Sequence, residues 1–293
     1  MLGAVLVVSL VSQPHEPHLF GTAMRERVVI KWGGGLITDK TTLCTPQLDV
    51  IEALATSVRR CLDNEVDVIL VHGAGSYGHL RAKHWRLNEG RVDADFTPDD
   101  QCQSQTDAVA CVRQEMLALN DHVCTALQQQ GVPTVIHPPH QWANGVGAEI
   151  EGDLARLNVR EGTVAVTFGD VVPVDGDAEF GILSGDDLVY RLATEVPYVE
   201  RLVFAIGGVD GLLRCPPDRA TEDDLIEEWS PSIEFEGAHH SDIDVTGGIG
   251  LKAARGAQVA AKGVEVLMVN GGHADRVFDA CMGREVRGTR VVN

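Results

Sequence analysis

Val71-His-Gly-Ala-Gly-Ser-Tyr-Gly-His79 is a glycine-rich turn with a histidine near or at each end, and the apolar run Val68-Ile-Leu-Val71 leads straight into it. Such a run reads as a buried strand, and clustered glycines at its end let backbone N–H groups approach a ligand closely. Several N–H donors converging on one point make a cradle for phosphate. His79 adds a donor whose charge can change near neutral pH. Three more glycine turns follow the same logic: Lys31-Trp-Gly-Gly-Gly35, Phe168-Gly-Asp170 and Asp244-Val-Thr-Gly-Gly248. Lys31 belongs to the first, and Lys252 stands one helical turn beyond the last. A lysine at a strand end, set against a backbone turn, can hold the oxygens of a nucleotide's terminal phosphates. Taken alone, the first motif reads equally as a tight turn with a surface lysine. It has neither the GxxxxGK[ST] order of a P-loop nor the GxGxxG dinucleotide fingerprint.

The lysine usage sharpens this. The 293-residue chain carries five lysines against 19 arginines, and Lys31, Lys40 and Lys252 all fall in or near glycine motifs. The net charge of −19 weighs against nucleic acid or an anionic membrane as partner. Abundant Asp and Glu with little Lys resembles the proteins of salt-loving organisms. The seven cysteines are scattered, with no CxxC or Cys/His ligand spacing. That fits a reducing cytoplasm in which Cys serves as a small core residue. Leu2 to Val11 is apolar but has no basic flank, no clear cleavage site before Arg25, and too few residues to span a bilayer. Residues 1–24 are therefore expected to be a disordered N-terminal extension, with one folded domain over 25–293.

The elements that must position these loops alternate along the chain. Strands are predicted at Arg27–Trp32, Asp67–Val71, Pro133–His137, Thr163–Phe168, Phe180–Leu183, Arg201–Ile206, Glu265–Val269 and Gly288–Val292. Helices are predicted over Gln47–Leu62, with Val50, Ile51, Leu54, Val58 and Leu62 on one face, and over Ser104–Gln130, ending at Gly131. Two more are predicted from Ser184 to Ala193 and from Thr246 to about Lys262. Ser184 is suited to cap its helix, with Asp186 and Asp187 in the first turn, where acids complement the helix dipole. The alternation predicts an α/β fold: a mostly parallel central sheet between two layers of helices, with ligands beyond the carboxyl ends of the strands.

Six segments stand in an order that resembles the amino-acid kinase superfamily. They are Lys31-Trp-Gly-Gly-Gly35 with Thr38-Asp-Lys40, the His72–His79 loop, Gly169-Asp170, Ser184-Gly-Asp-Asp187, Val209-Asp-Gly211 and Asp244-Val-Thr-Gly-Gly248. Within it the chain is most similar to the isopentenyl phosphate kinases, over about residues 27–293, and His79 is the most specific mark. The resemblance implies a three-layer αβα sandwich with a substrate-binding half near 25–165 and a nucleotide-binding half near 166–293. It implies ATP and Mg²⁺, transfer of phosphate to isopentenyl phosphate in the alternate mevalonate route of isoprenoid biosynthesis, and a homodimer. Position by position, Lys31, Gly33, Gly34 and Gly35 would contact ATP phosphates, and Lys40 would support that lysine and the transferred group. Ala74 would offer its N–H to the substrate phosphate and Gly75 to ATP. His79 would hydrogen-bond the substrate phosphate, and Gly169 would line the same site. Asp186 or Asp187 would orient the lysines or the nucleotide side, and Gly248 with Lys252 would hold the β- and γ-phosphates.

Departures from the family pattern are Gly35 for Ser, Ala74 for Gly, Gly208 for Asp, and the bulky Trp32 beside the phosphate loop. An acceptor with a five-carbon tail also needs an apolar pocket near His79. Val109, Val112, Met116 and Leu117 of the long helix could supply it, or could simply be core. Two other readings stand beside this one: a related kinase of another small anion such as a phosphonate, with a polar pocket, and a non-catalytic ATP sensor of the same fold.

Overall fold

The computed structural model describes residues 25–39, 41–92, 101–159, 162–235 and 248–293. Lys40, the segment Asp244–Gly247 and the pair His239-His240 lie outside the described residues. The elements run β1 (Arg27–Trp32), α1 (Gly34–Ile37), α2 (Leu48–Asp63), β2 (Asp67–His72), α3 (His79–His84), α4 (Gln105–Gln129), β3 (Thr134–Ile136), β4 (Ala143–Asn144), β5 (Glu151–Gly152) and β6 (Val164–Phe168). They continue with β7 (Asp170–Pro173), β8 (Phe180–Leu183), α5 (Gly185–Glu195), β9 (Val199–Ile206), β10 (Glu228–Trp229), α6 (Gly248–Ala260), β11 (Glu265–Asn270), α7 (Ala274–Cys281) and β12 (Thr289–Val291).

Eight strands form one sheet in the order β10-β12-β11-β9-β1-β2-β6-β3. Its pairs are parallel except β11 with β12. Strand residues alternate between two cores. Val28, Ile30, Trp32, Leu70 and Phe168 pack with Ile51 and Leu54 of α2, Met116 of α4 and Phe278 of α7. Val29, Val71, Leu202 and Phe204 pack with Leu188 and Leu192 of α5 and Ala253 of α6. Both faces of a parallel sheet are covered by helices, so apolar residues occupy both sides of each strand. The predicted αβα sandwich is what forms.

Local chemistry sets the boundaries. Ser104 caps α4, its Oγ accepting from Asp107 N at 3.1 Å. Gly131 follows the helix at φ +67°, a left-handed stop. Phe180–Leu183 is short and extended as expected, and it pairs antiparallel with Asp170–Pro173 in a hairpin separate from the central sheet. The strand Asp170–Pro173 had no periodic signature of its own because it follows β6 after the single residue Gly169. Among the described residues no helix is long and apolar enough to cross a membrane.

Candidate active site

The first three glycine turns meet the Gly207 turn in one cleft at the carboxyl ends of β1, β2, β6 and β9, with Gly248 of α6 on its wall. It is lined by Gly33, Gly34 and Gly35, by Gly73, Ala74 and Gly75, by Gly169, and by Ile206 and Gly207. Strand adjacency does this: β9, β1, β2 and β6 are neighbours in the sheet although their ends are up to 174 residues apart in the chain. An open parallel sheet places its ligand there, where several loops converge.

The first two glycine loops are packed back to back, and that explains their composition. A Cβ on Gly73 would lie 2.6 Å from Gly34 N, and one on Gly34 would lie 2.9 Å from Gly75 Cα. Gly75 also takes φ +53°. Thr38 stitches the two loops, donating from Oγ1 to Gly34 O at 2.8 Å and accepting from Ser76 N at 2.9 Å. Ala74 sits at φ −80°, so it needs none of glycine's freedom, and the departure from Gly is sterically free. Gly208 takes φ +79°, a conformation that favours glycine. Trp32 turns into the α2/α7 core and is fully buried, away from the phosphate loops.

Between Ile30 and Trp32 on β1, Lys31 faces the opposite side, toward the N-terminus of α5. Gly185 leaves room for it: a Cβ there would lie 3.2 Å from Lys31 Cε. Lys31 Nζ pairs with Asp186 Oδ1. Lys252 Nζ reaches Asp186 Oδ2 at 3.3 Å and Gly248 O at 3.3 Å. One carboxylate, 1% exposed, thus holds two lysines that come from β1 and α6. Burial pushes the Asp186 carboxyl up, but Lys252 and Lys31 outweigh it and hold the group below its ordinary value. Ser184 fixes the turn, its Oγ accepting from Asp186 N at 3.1 Å. Asp187 does not line the cleft. It accepts from Arg255 Nε at 2.7 Å, and burial raises its pKa more than that arginine lowers it. Adjacent helix residues point about 100° apart, so only one of the two acids can face the lysines.

At the other end of the cleft stands His79, first residue of α3, partly exposed. Ala82, Val112, Met116, Val171 and Ile182 wall this end. Of the long-helix residues expected there, Val112 and Met116 line the cleft, Val109 is buried in the core, and Leu117 is 40% exposed and turned to solvent. Helical spacing accounts for this: 112 and 116 share a face and 117 leaves it. His72 is structural. It is fully buried, stacks on Phe168 with centroids 5.0 Å apart, and its Nε2 lies 3.3 Å from Asn120 Oδ1. Burial pushes its pKa down to about 4, so the ring is neutral.

Two acids lie in segments that the sequence singled out, but sequence reasoning gave neither a role. Asp170, on the cleft wall and buried, accepts from the backbone N of His140 at 3.1 Å and contacts His140 Nδ1 at 2.6 Å. Asp210, of the Val209-Asp-Gly211 segment, gathers Arg276, Arg287 and Asn270; burial raises its pKa but these donors bring it down to about 2. It is a brace behind the cleft. Among the described residues, no group of three or more His, Cys, Asp or Glu side chains is placed to hold a metal ion.

Comparison with known proteins agrees with this geometry. A model of the amino acid kinase family matches residues 26–270. The chain is 29% identical to the isopentenyl phosphate kinase of Methanothermobacter thermautotrophicus over 90% of its own length and 98% of that protein's. It is 28% identical to that of Thermoplasma acidophilum, over 86% of this chain and 95% of the relative. A solved isopentenyl phosphate kinase structure superposes with a TM-score of 0.73 at 26% identity, over 92% of this chain and 100% of the other. UMP kinase from Ureaplasma parvum, 16% identical with a TM-score of 0.55, shares the fold. From its motifs, its sheet and its family match, the chain belongs to the amino acid kinase family.

Proposed function

We propose that this chain transfers the γ-phosphoryl group of ATP to isopentenyl phosphate, giving isopentenyl diphosphate and ADP. The observation that carries the reading is the polarity change along one cleft. Lysines and glycine turns occupy one end, and Val112, Met116, Ala82 and Ile182 wall the other, where His79 stands. A phosphate monoester with a short branched hydrocarbon tail has that same division. A polar acceptor such as a phosphonate would leave the apolar wall uncovered.

An oxygen of the acceptor's phosphate attacks the γ-phosphorus, the new O–P bond forms, and the bond to the β-phosphate oxygen breaks. The acceptor is an anion already, so no strong base is needed, and the obstacle is repulsion between two phosphates. Lys31 and Lys252 would draw on the donor's phosphate oxygens, while Asp186 keeps both ammonium groups aimed into the cleft. Ala74 N–H and His79 would hold the acceptor phosphate, and Gly75 N–H the donor. Lys40 would add charge on the donor side. Mg²⁺ would arrive with ATP and screen its β- and γ-phosphates; both Asp186 oxygens are engaged by lysines, so phosphate oxygens rather than this carboxylate would hold it. Positioning and charge neutralisation then supply the rate.

The halves near 25–165 and 166–293 divide the work between acceptor and nucleotide, with Val171 and Ile182 crossing over to the acceptor wall. A cytoplasmic homodimer completes the reading. The exposed edge strand β3, with Val135 40% and Ile136 43% exposed, supports self-association. The test is a coupled ADP-release assay with Mg²⁺ and ATP, offering isopentenyl phosphate, its allylic isomer, acetylglutamate, uridylate and fosfomycin. Turnover restricted to the first two supports the proposal. Turnover only on a polar acceptor overturns it, and so does ATP binding without turnover on any of them.

A further inference from the structure

Beneath the acceptor end of the cleft lies a pair of thiols that the phosphoryl-transfer chemistry does not use. Cys102 Sγ is 3.3 Å from Cys111 Sγ. Cys102, 4% exposed, also receives Arg81 Nη1 at 3.3 Å. Cys111, on α4, is half-buried. The same Arg81 donates through Nε at 2.9 Å and Nη2 at 2.7 Å to Glu115. Arg81 stands on α3 two residues after His79, and Glu115 on α4 next to Met116. The thiol pair therefore touches both elements that build the acceptor wall.

We propose that Cys102 and Cys111 form a modification site, a dithiol that a peroxide converts to an intramolecular disulfide. The chemistry assigns separate roles. Cys111, the more accessible, meets the peroxide: its sulfur bonds to one oxygen, the O–O bond breaks, and water leaves, giving a sulfenic acid. The Cys102 sulfur then bonds to the Cys111 sulfur, the S–O bond breaks, and the thiol proton leaves with the hydroxyl as a second water. Two thiols lose two electrons in total and the peroxide gains them. Arg81 Nη1, 3.3 Å from the Cys102 sulfur, helps hold that side chain beside Cys111. The sulfurs must close from 3.3 Å to about 2.05 Å, a movement of about 1.3 Å. The other neighbouring thiols are poorer candidates. Burial and Glu115 push Cys44 up to about 11, and Cys61 and Cys281 are both fully buried.

Forming the disulfide draws the Cys102 sulfur, which Arg81 contacts, toward Cys111 and shifts α4 against α3. The resulting effect on the acceptor rests on the kinase reading, whereas the site itself does not. The experiment treats the purified full-length chain with hydrogen peroxide, alkylates remaining thiols, cleaves at Asp107 between the two cysteines, and maps the peptides by mass spectrometry. The expected result is that the peptides carrying Cys102 and Cys111 stay linked until dithiothreitol is added, and that the link is absent in Cys111→Ser and Cys102→Ser. Wild-type protein in which Cys111 runs on to sulfinic acid while Cys102 is alkylated would overturn the proposal, as would a link from Cys111 to Cys44. In the linked protein the acceptor KM should rise about tenfold with the KM for ATP unchanged, because a binding wall displaced by about 1 Å is felt on at least that scale. Equal acceptor KM in the linked and reduced forms would overturn the coupling. No turnover by the reduced protein would count against the kinase reading and leave the mapping to decide the site.

Discussion

Replacing Asp186 by Asn separates the electrostatic role of this carboxylate from its place in the core. Asp186 is 1% exposed and accepts from Lys31, whose side chain is 5% exposed, and from Lys252, whose side chain is 15% exposed. Asn preserves the shape and removes the charge. Lys252 lies closer to solvent and can regain hydration by a rotamer change, but Lys31 is held between β1 and Gly185 and loses its carboxylate hydrogen bond while still buried. Removing one partner of such a buried pair costs about 3–5 kcal/mol. For a chain of this size that lowers Tm by about 6–10 °C, at roughly 2 °C per kcal/mol. Activity should fall by about 10²–10³, because the two lysines lose their common aim. The assay is thermal unfolding with steady-state kinetics on the same preparation. Adding Lys31→Met to Asp186→Asn leaves no buried charge at that point, so much of the lost stability should return while activity stays low. An Asp186→Asn variant that melts within about 2 °C of wild type, or a double variant less stable than the single one, would refute the electrostatic argument.

Other expectations are equally direct. His79→Ala should leave Tm unchanged, since the ring is partly exposed, and lower kcat/KM by about 10²–10³; an unaffected rate in steady-state kinetics would remove His79 from the phosphate site. His72 has a folded pKa near 4, below its unfolded value of about 6.5, so its contribution is complete above about pH 6.5 and is lost as pH falls toward 4. Urea unfolding should therefore show about 2 kcal/mol less stability at pH 5 than at pH 7.5, and a His72→Gln variant should lose most of that slope. Gly75→Ala forces a Cβ to within 2.5 Å of Gly34 O at φ +53°. It should destabilise by about 2 kcal/mol or more and impair nucleotide binding measured by calorimetry. Trp32 Nε1 is buried without an acceptor; Trp32→Phe should therefore stay within about 1 kcal/mol of wild type by urea unfolding, whereas Trp32→Ala should cost about 3–5 kcal/mol.

The glycine loops, the lysines beside them and His79 were readable in the chain because each needs only local pattern. Glycine after an apolar run marks a strand opening into a tight turn, and alternation of strands with helices marks a parallel sheet with ligands at its carboxyl ends. The family resemblance rested on the same local segments. Choices that depend on which distant residue arrives opposite were decided by the tertiary structure. Asp186 and Asp187 are chemically alike and adjacent, and only the arrival of β1 and α6 beside α5 gave one to the lysines and the other to Arg255. Val112, Met116 and Leu117 are all apolar, and only the docking of α4 beneath α3 put the first two on the cleft and left the third in water. Glycine at 34, 73 and 75 suggested close approach to a ligand. The fold adds a second requirement, since the two loops lie too close to each other for a Cβ. The Asp170–His140 contact and the Cys102–Cys111 pair depend on loops closing onto neighbouring elements, and local sequence periodicity does not encode that distance.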